Sequence, residues 1–182
     1  MKMLTLSSLI VFVILSFTAT LFSQETDAEI ERGLYNHSLT ANLVNAADVA
    51  KILYQATKQK KMNRLFFSDQ LNLMGNSIDE AKQDVEVIQS TLTDAEKKLV
   101  NKNMESLQKR INTAIENNDL LSDEFAAANP TKAMMREYIS NIFYSLRDAE
   151  LVDHIAIKDA LNIAELKEPL KVEPKEAKEK NK

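Results

Sequence analysis

The chain has 182 residues, a formal charge of −4, 45% hydrophobic and 27% charged side chains, two glycines, three prolines and no cysteine. That is enough chain for one domain with a real core. The missing cysteines exclude a disulfide framework and a lipid-modified cysteine anchor, and the acidic balance disfavours nucleic acid and anionic lipid as partners.

Lys2 supplies a positive start, the run "LSSLIVFVILSF" from residue 6 to 17 is almost wholly apolar, and "TATLFSQETD" follows with small and polar residues. That order reads as an export signal over residues 1–23, cut after Ser23 to leave Gln24 first. The expected location is therefore periplasmic or secreted. The stretch from Leu4 to Phe22 is also long enough for a membrane anchor if it is retained, and only then is membrane contact expected. Losing Lys2 takes the charge to −5, and the six lysines and four glutamates of residues 167–182 leave the body near −7.

The body, residues 24–166, has Gly33, Gly75 and Pro130 and little else to break a helix. Such material favours long helices over sheets. In the first segment, Ile30, Leu34, His37, Ala41 and Val44 form one track, and Leu39, Leu43, Ala46, Ala50 and Leu53 form a second, nearly opposite. A helix apolar on two sides is central or packed against two neighbours. "KQKKMNRLFF", residues 58–67, reads as the reversal into the second helix. Its Lys58, Lys60, Lys61 and Arg64 favour a helix C-terminus, and its phenylalanines plug a bundle end; contact with an anionic head group or acidic partner is the alternative.

Leu71, Met74, Ile78, Ala81, Val85, Ile88 and Leu92 alternate three and four residues apart, one narrow stripe of a bundle helix. "TDAE" at residues 93–96 is a capping box, and Val100, Met104, Leu107, Ile111 and Ala114 continue in a new register. "SIDE" at residues 77–80, just after Gly75 and Asn76, also has the form of a capping box and favours a turn near residue 75. Residues 117–130 read as the clearest link between helices, with Asn129 as cap and Pro130 as first helical residue. The last segment carries Met135, Ile139, Ile142, Leu146, Ala149, Asp153, Ala156, Ala160 and Ile163 at the same spacing, interrupted only by Asp153. Residues 167–182, with two prolines and dense charge, read as a flexible tail. The expectation is an all-α antiparallel bundle of about four long helices, with three helices or a long coiled hairpin as alternatives.

Four residues carry the candidate chemistry: His37, Glu150, Asp153 and His154. In an up-and-down bundle the first and last helices lie side by side, which places His37 and His154 roughly 14 and 18 Å from the same end. Paired histidines of this kind hold haem iron axially or share a metal with carboxylates. Against that, His154 is about 100° round the helix from the Asp153 track, and no HExxH, CxxCH or ExxH motif is present. The blander reading is a boundary histidine with Glu150 one turn away, and an Asp153 left wet where the helix exits the bundle. "NHS" at residues 36–38 fits a glycosylation sequon, used only in a eukaryotic secretory pathway, or is a chance match; a glycan there needs Asn36 exposed, compatible with His37 facing inward. No glycine-rich phosphate loop and no GxSxG nucleophile occurs, the scattered methionines fit core packing, and no motif implies a cofactor. The residues therefore point to an exported, non-enzymatic bundle that binds a partner protein or small ligand, with a haem or metal bundle as the alternative and self-association as a further possibility.

Overall fold

The computed structural model describes the backbone of residues 4–163 and the side chains of residues 29–163. The expected export signal, residues 1–23, and the charged tail, residues 167–182, lie outside the residues described in atomic detail. The helices are α1 (Leu4–Lys58), α2 (Arg64–Thr91), α3 (Asp94–Ala126), α4 (Lys132–Asp148), a π-helical segment (Ala149–His154) and α5 (Ile155–Ala160). The last three run on from one another, so the described residues make an all-α four-helix bundle with no strand. Among residues 29–163, whose side chains are described, no helix is long and apolar enough to cross a membrane.

Tight reversals make the bundle antiparallel. Leu92 and Thr93 alone separate α2 from α3, and the Thr93 side chain accepts from Glu96 N–H while the Glu96 carboxylate accepts from Thr93 N–H at 2.8 Å. This is the capping box read from "TDAE", and it stops one register and starts the next. Asn63 caps α2 by accepting from Phe66 N–H at 3.2 Å. Across the same end of the bundle, Lys132 donates to the Gln59 carbonyl at 2.6 Å and Arg64 to the Phe125 carbonyl at 2.8 Å. Two helix C-termini thus receive a cation, as the partial negative charge of their open carbonyls favours. Phe67 is fully buried and stacks on Phe125 with centroids 4.8 Å apart, so this aromatic pair closes the end. Phe66 and Leu65 remain outside.

Four of the expected apolar stripes meet in one core: Leu39 to Leu53 on α1, Leu71 to Ile88 on α2, Val100 to Ala114 on α3 and Met135 to Leu146 on α4. Each fully buried aliphatic side chain contributes about 2 kcal/mol of transfer free energy. The helices are long enough that this repeats over many layers.

Several boundaries differ from the expectation. No turn occurs near residue 75; α2 runs straight through it, and a Cβ on Gly75 would sit 3.2 Å from the Asn118 Nδ2 atom. The Asn118 side chain of α3 comes close at Gly75, and "SIDE" is helix interior. Residues 117–126 belong to α3 rather than to a link, because Leu121 is fully buried and draws the polar "NND" into the helix. α4 begins at Lys132 with Thr131 as its cap, two residues later than the Asn129–Pro130 reading. The last helix ends at Ala160, not beyond Ile163. Asn162 takes a left-handed backbone, φ 51°, and Ile163 and Asn162 N–H donate to the Lys158 and Asp159 carbonyls, a Schellman ending.

The first helix departs most. Its second track, Leu39 to Leu53, is buried throughout. Its first track faces water: Ile30 and Leu34 are 55% and 57% exposed, and His37 and Ala41 are exposed as well. Only one of the two apolar sides has a neighbour.

Candidate functional site

Two of the polar groups that the sequence marks, Asp153 and His154, lie where α1, α3 and the π-helical segment meet. An α-helix presents positions three or four apart to one side, so Asp153 and His154 in succession would point about 100° apart. In the wider π turn both side chains are nonetheless buried, at 3% and 2% exposure. They turn inward to different neighbours.

His154 faces α1. Its Nε2 lies 2.8 Å from the Asn36 Oδ1 and its Nδ1 lies 3.4 Å from the Thr40 hydroxyl. Asn36 Nδ2 donates to the Arg32 carbonyl at 2.8 Å, which leaves Oδ1 as the acceptor and assigns the proton to His154 Nε2. Thr40 sends its own hydroxyl proton to the Asn36 carbonyl at 3.0 Å. In the neutral ring with its proton on Nε2, Nδ1 sits beside the Thr40 hydroxyl. Burial, and secondly the positive charge of Lys158, push the His154 pKa down to about 4.

Asp153 faces α3. Its Oδ2 lies 2.7 Å from Arg110 Nε, and the same guanidinium reaches Asp148 through Nη1. The Nε–H is not aligned along the 2.7 Å line, so that contact is an ion pair without a well-formed hydrogen bond. Asp153 is thus neither wet nor at a helix exit. Glu150 is engaged on its own helix, accepting from Arg147 at 2.6 Å, and is not the partner of His154.

His37 is not part of this cluster. It stands on the exposed side of α1, while its neighbour Asn36, 3% exposed, takes the place beside His154. The two histidines do not form a facing pair, and both ring nitrogens of His154 are directed at Asn36 and Thr40. Among the described residues no group of three or more His, Asp or Glu side chains is placed to hold a metal ion. The sequon fails for the same reason: the Asn36 amide is buried and bonded at both of its polar atoms.

A second polar seam joins α1 to α2. Asn42 donates to Asp84 Oδ2 at 3.0 Å and lies 3.3 Å from the Ser38 hydroxyl. Burial raises the Asp84 pKa, the hydrogen bonds from Ser38 and Asn42 oppose the rise, and nearby Glu80 adds to it. Above both seams, Arg32 reaches from α1 to the α2–α3 turn, pairing with Glu96 at 2.7 Å and donating to the Thr91 carbonyl at 3.0 Å.

Sequence reasoning missed Arg32, Asn36, Asn42, Asp84 and Arg110. A signal existed for two of them. Carried upstream at the same spacing, the buried track Leu39, Leu43, Ala46 passes through Asn36 and Arg32. Arg110, next to the track residue Ile111, has no such mark.

On the outside, an open groove of about 280 Å³ runs between α1 and α4, floored by Ala50 and Ser140 and walled by Tyr54, Phe143 and Tyr144. Lys51 lies 5.4 Å from the Phe143 ring centre and is paired with Asp48. Tyr144 is 64% exposed, and Leu151, Val152 and Ile155 on the outer side of the π-helical region are about half exposed.

Fold and site together define a four-helix bundle with a closed polar layer near one end. Compared with protein-family models, curated proteins and solved structures, the chain matches none.

Proposed function

We propose that the chain is an exported, non-enzymatic bundle that binds a partner protein or small ligand through its outer helix faces. One observation carries this reading. His154 and Asp153 are turned inward and held by Asn36 and Arg110, whereas aromatic and aliphatic side chains line an open groove and stand in water. A catalytic centre needs polar groups that reach a substrate; a binding face needs apolar surface framed by polar residues. The groove of Tyr54, Phe143 and Tyr144 offers flat apolar walls with Lys51 at its edge, suited to an apolar or aromatic group carried by a neutral or acidic partner.

The haem or metal alternative draws no support from the site, since His37 is exposed, His154 is buried against Asn36 and Thr40, and no metal-holding group occurs among the described residues. Export rests on the order of charge, apolar run and small residues at the N-terminus.

The test places a photo-crosslinking amino acid at Tyr144 in the full chain, expressed in cells that export it. The expected result is a mature chain beginning at Gln24 by mass spectrometry and a discrete crosslinked adduct, lost when Tyr54→Glu places a charge in the groove. A chain that keeps Met1 inside the cell overturns export. A folded, exported chain that gives no adduct at Tyr144 overturns the binding face.

A further inference from the structure

We propose that α1 pairs with α1 of a second copy of this chain, through the outward seam of Ile30, Leu34, His37, Ala41 and Val44. The spacing of these five is four, three, four, three, that of a two-stranded coiled-coil seam. It lies nearly opposite the buried track Leu39, Leu43, Ala46, Ala50 and Leu53, so it points away from the bundle's own core. Ile30 and Leu34 are more than half exposed, His37 and Ala41 are exposed, and Val44 is partly covered. A surface helix of a monomer needs one apolar side; this one has two and fills one.

Charge points to a second copy as the occupant. Residues 33–47, "GLYNHSLTANLVNAA", contain no Asp, Glu, Lys or Arg, in a chain with 27% charged residues. Two acidic bodies repel unless they meet where neither carries charge, and the seam is neutral from Leu34 to Val44, with Ile30 at its margin between the exposed Glu29 and Glu31. The seam is bounded: Asp48 and Lys51 take the next two positions, and they pair with each other at 2.8 Å. A strongly charged partner finds no complement here, whereas an identical helix finds its own apolar side chains. In either orientation of a two-fold pair the centre of the seam, His37, meets its symmetry mate. Parallel chains set each residue against itself; antiparallel chains set Ile30 against Val44 and Leu34 against Ala41. The polar His37 then specifies register at some cost in affinity, the part a single polar core position plays in a coiled coil. Five side chains cover a few hundred Å² per copy, below a standard interface, so the dimer dissociates on dilution.

The chain has no cysteine, which makes the test direct. His37→Cys places one thiol at the two-fold in either orientation, and Lys102→Cys, exposed on α3, is the control. Under mild oxidation the His37→Cys chain is expected to give a disulfide-linked dimer at concentrations where the Lys102→Cys chain stays single. Light scattering of the unmodified chain is expected to rise with concentration to twice the protomer mass. Leu34→Glu, with helicity unchanged, is expected to return it to the protomer mass, and His37→Leu to tighten association by tenfold or more. A chain that stays at the protomer mass at all concentrations overturns the proposal, as does a dimer that survives Leu34→Glu. Equal crosslinking of both cysteine variants does the same.

Discussion

His154 is the residue whose surroundings most constrain its chemistry. Its folded pKa, near 4, lies below the ordinary value of 6.5, so the unfolded chain binds the extra proton first. The stability tied to the neutral ring is therefore complete above pH 6.5 and falls as pH drops through the interval down to 4. The largest loss is about 3 kcal/mol, since each tenfold difference in proton affinity between the folded and unfolded chain is worth about 1.4 kcal/mol. Urea unfolding at pH 7 and pH 4.5, compared between the native chain and His154→Gln, is expected to show a steeper acid loss in the native chain. Equal slopes would mean that the ring is not held neutral. Asp84 works in the opposite direction: its raised pKa makes the charged form a cost that protonation relieves. Asp153 differs again. Arg110 neutralises it, and removing Arg110 alone would strand a buried carboxylate, a change that costs several kcal/mol in well-buried pairs and less here, because Arg110 is partly exposed.

At the scale of the element, the π-helical segment is the decisive feature. The α-helical spacing of the sequence runs Leu146, Ala149, Asp153, Ala156, Ala160, but the buried positions are Leu146, Ala149, Asp153, His154 and Ile157. The π turn accommodates one extra residue between Ala149 and His154, five positions apart, while Leu151 and Val152 stand in water. Deleting Leu151 restores continuous α-helical spacing, leaving Asp153 and His154 three and four residues after Ala149 with Ile157 still facing inward. This deletion is expected to be tolerated, with unchanged far-ultraviolet circular dichroism and an equal or higher urea midpoint. Deleting Ile142, inside regular α4, is expected to unfold the chain. If both deletions unfold it equally, the segment is not an inserted residue. Local patterns were only as informative as their context. "TDAE" marked a real helix start because two apolar registers break there, whereas "SIDE" has the same form within an unbroken stripe. The polar run at 117–119 suggested a link, but burial of Leu121 outweighed its weak helix propensity.

Across the whole molecule, the bundle is closed at one end by charge and aromatic contact. Arg64 and Lys132 cap opposing helices, and Phe67 stacks on Phe125 beneath them. Phe67→Ala is expected to cost about 3–5 kcal/mol, as for other fully buried aromatic side chains, measured by urea unfolding. A loss under about 1 kcal/mol would show that the ring does not plug the end. The other end is held by Arg32, clasping the α2–α3 turn from α1.

Sequence alone determined the fold class, four apolar stripes, the capping box at Thr93 and the two-sided character of the first helix. These follow from periodicity and local hydrogen bonding, which depend on residues within one or two turns of each other. Tertiary structure alone decided which side of α1 is buried, that Asn36 rather than His37 meets His154, and that Arg110 pairs with Asp153. Those choices depend on partners 43 to 118 positions away along the chain, brought together only when the helices pack. A lone helix carries no record of which neighbour will claim each face.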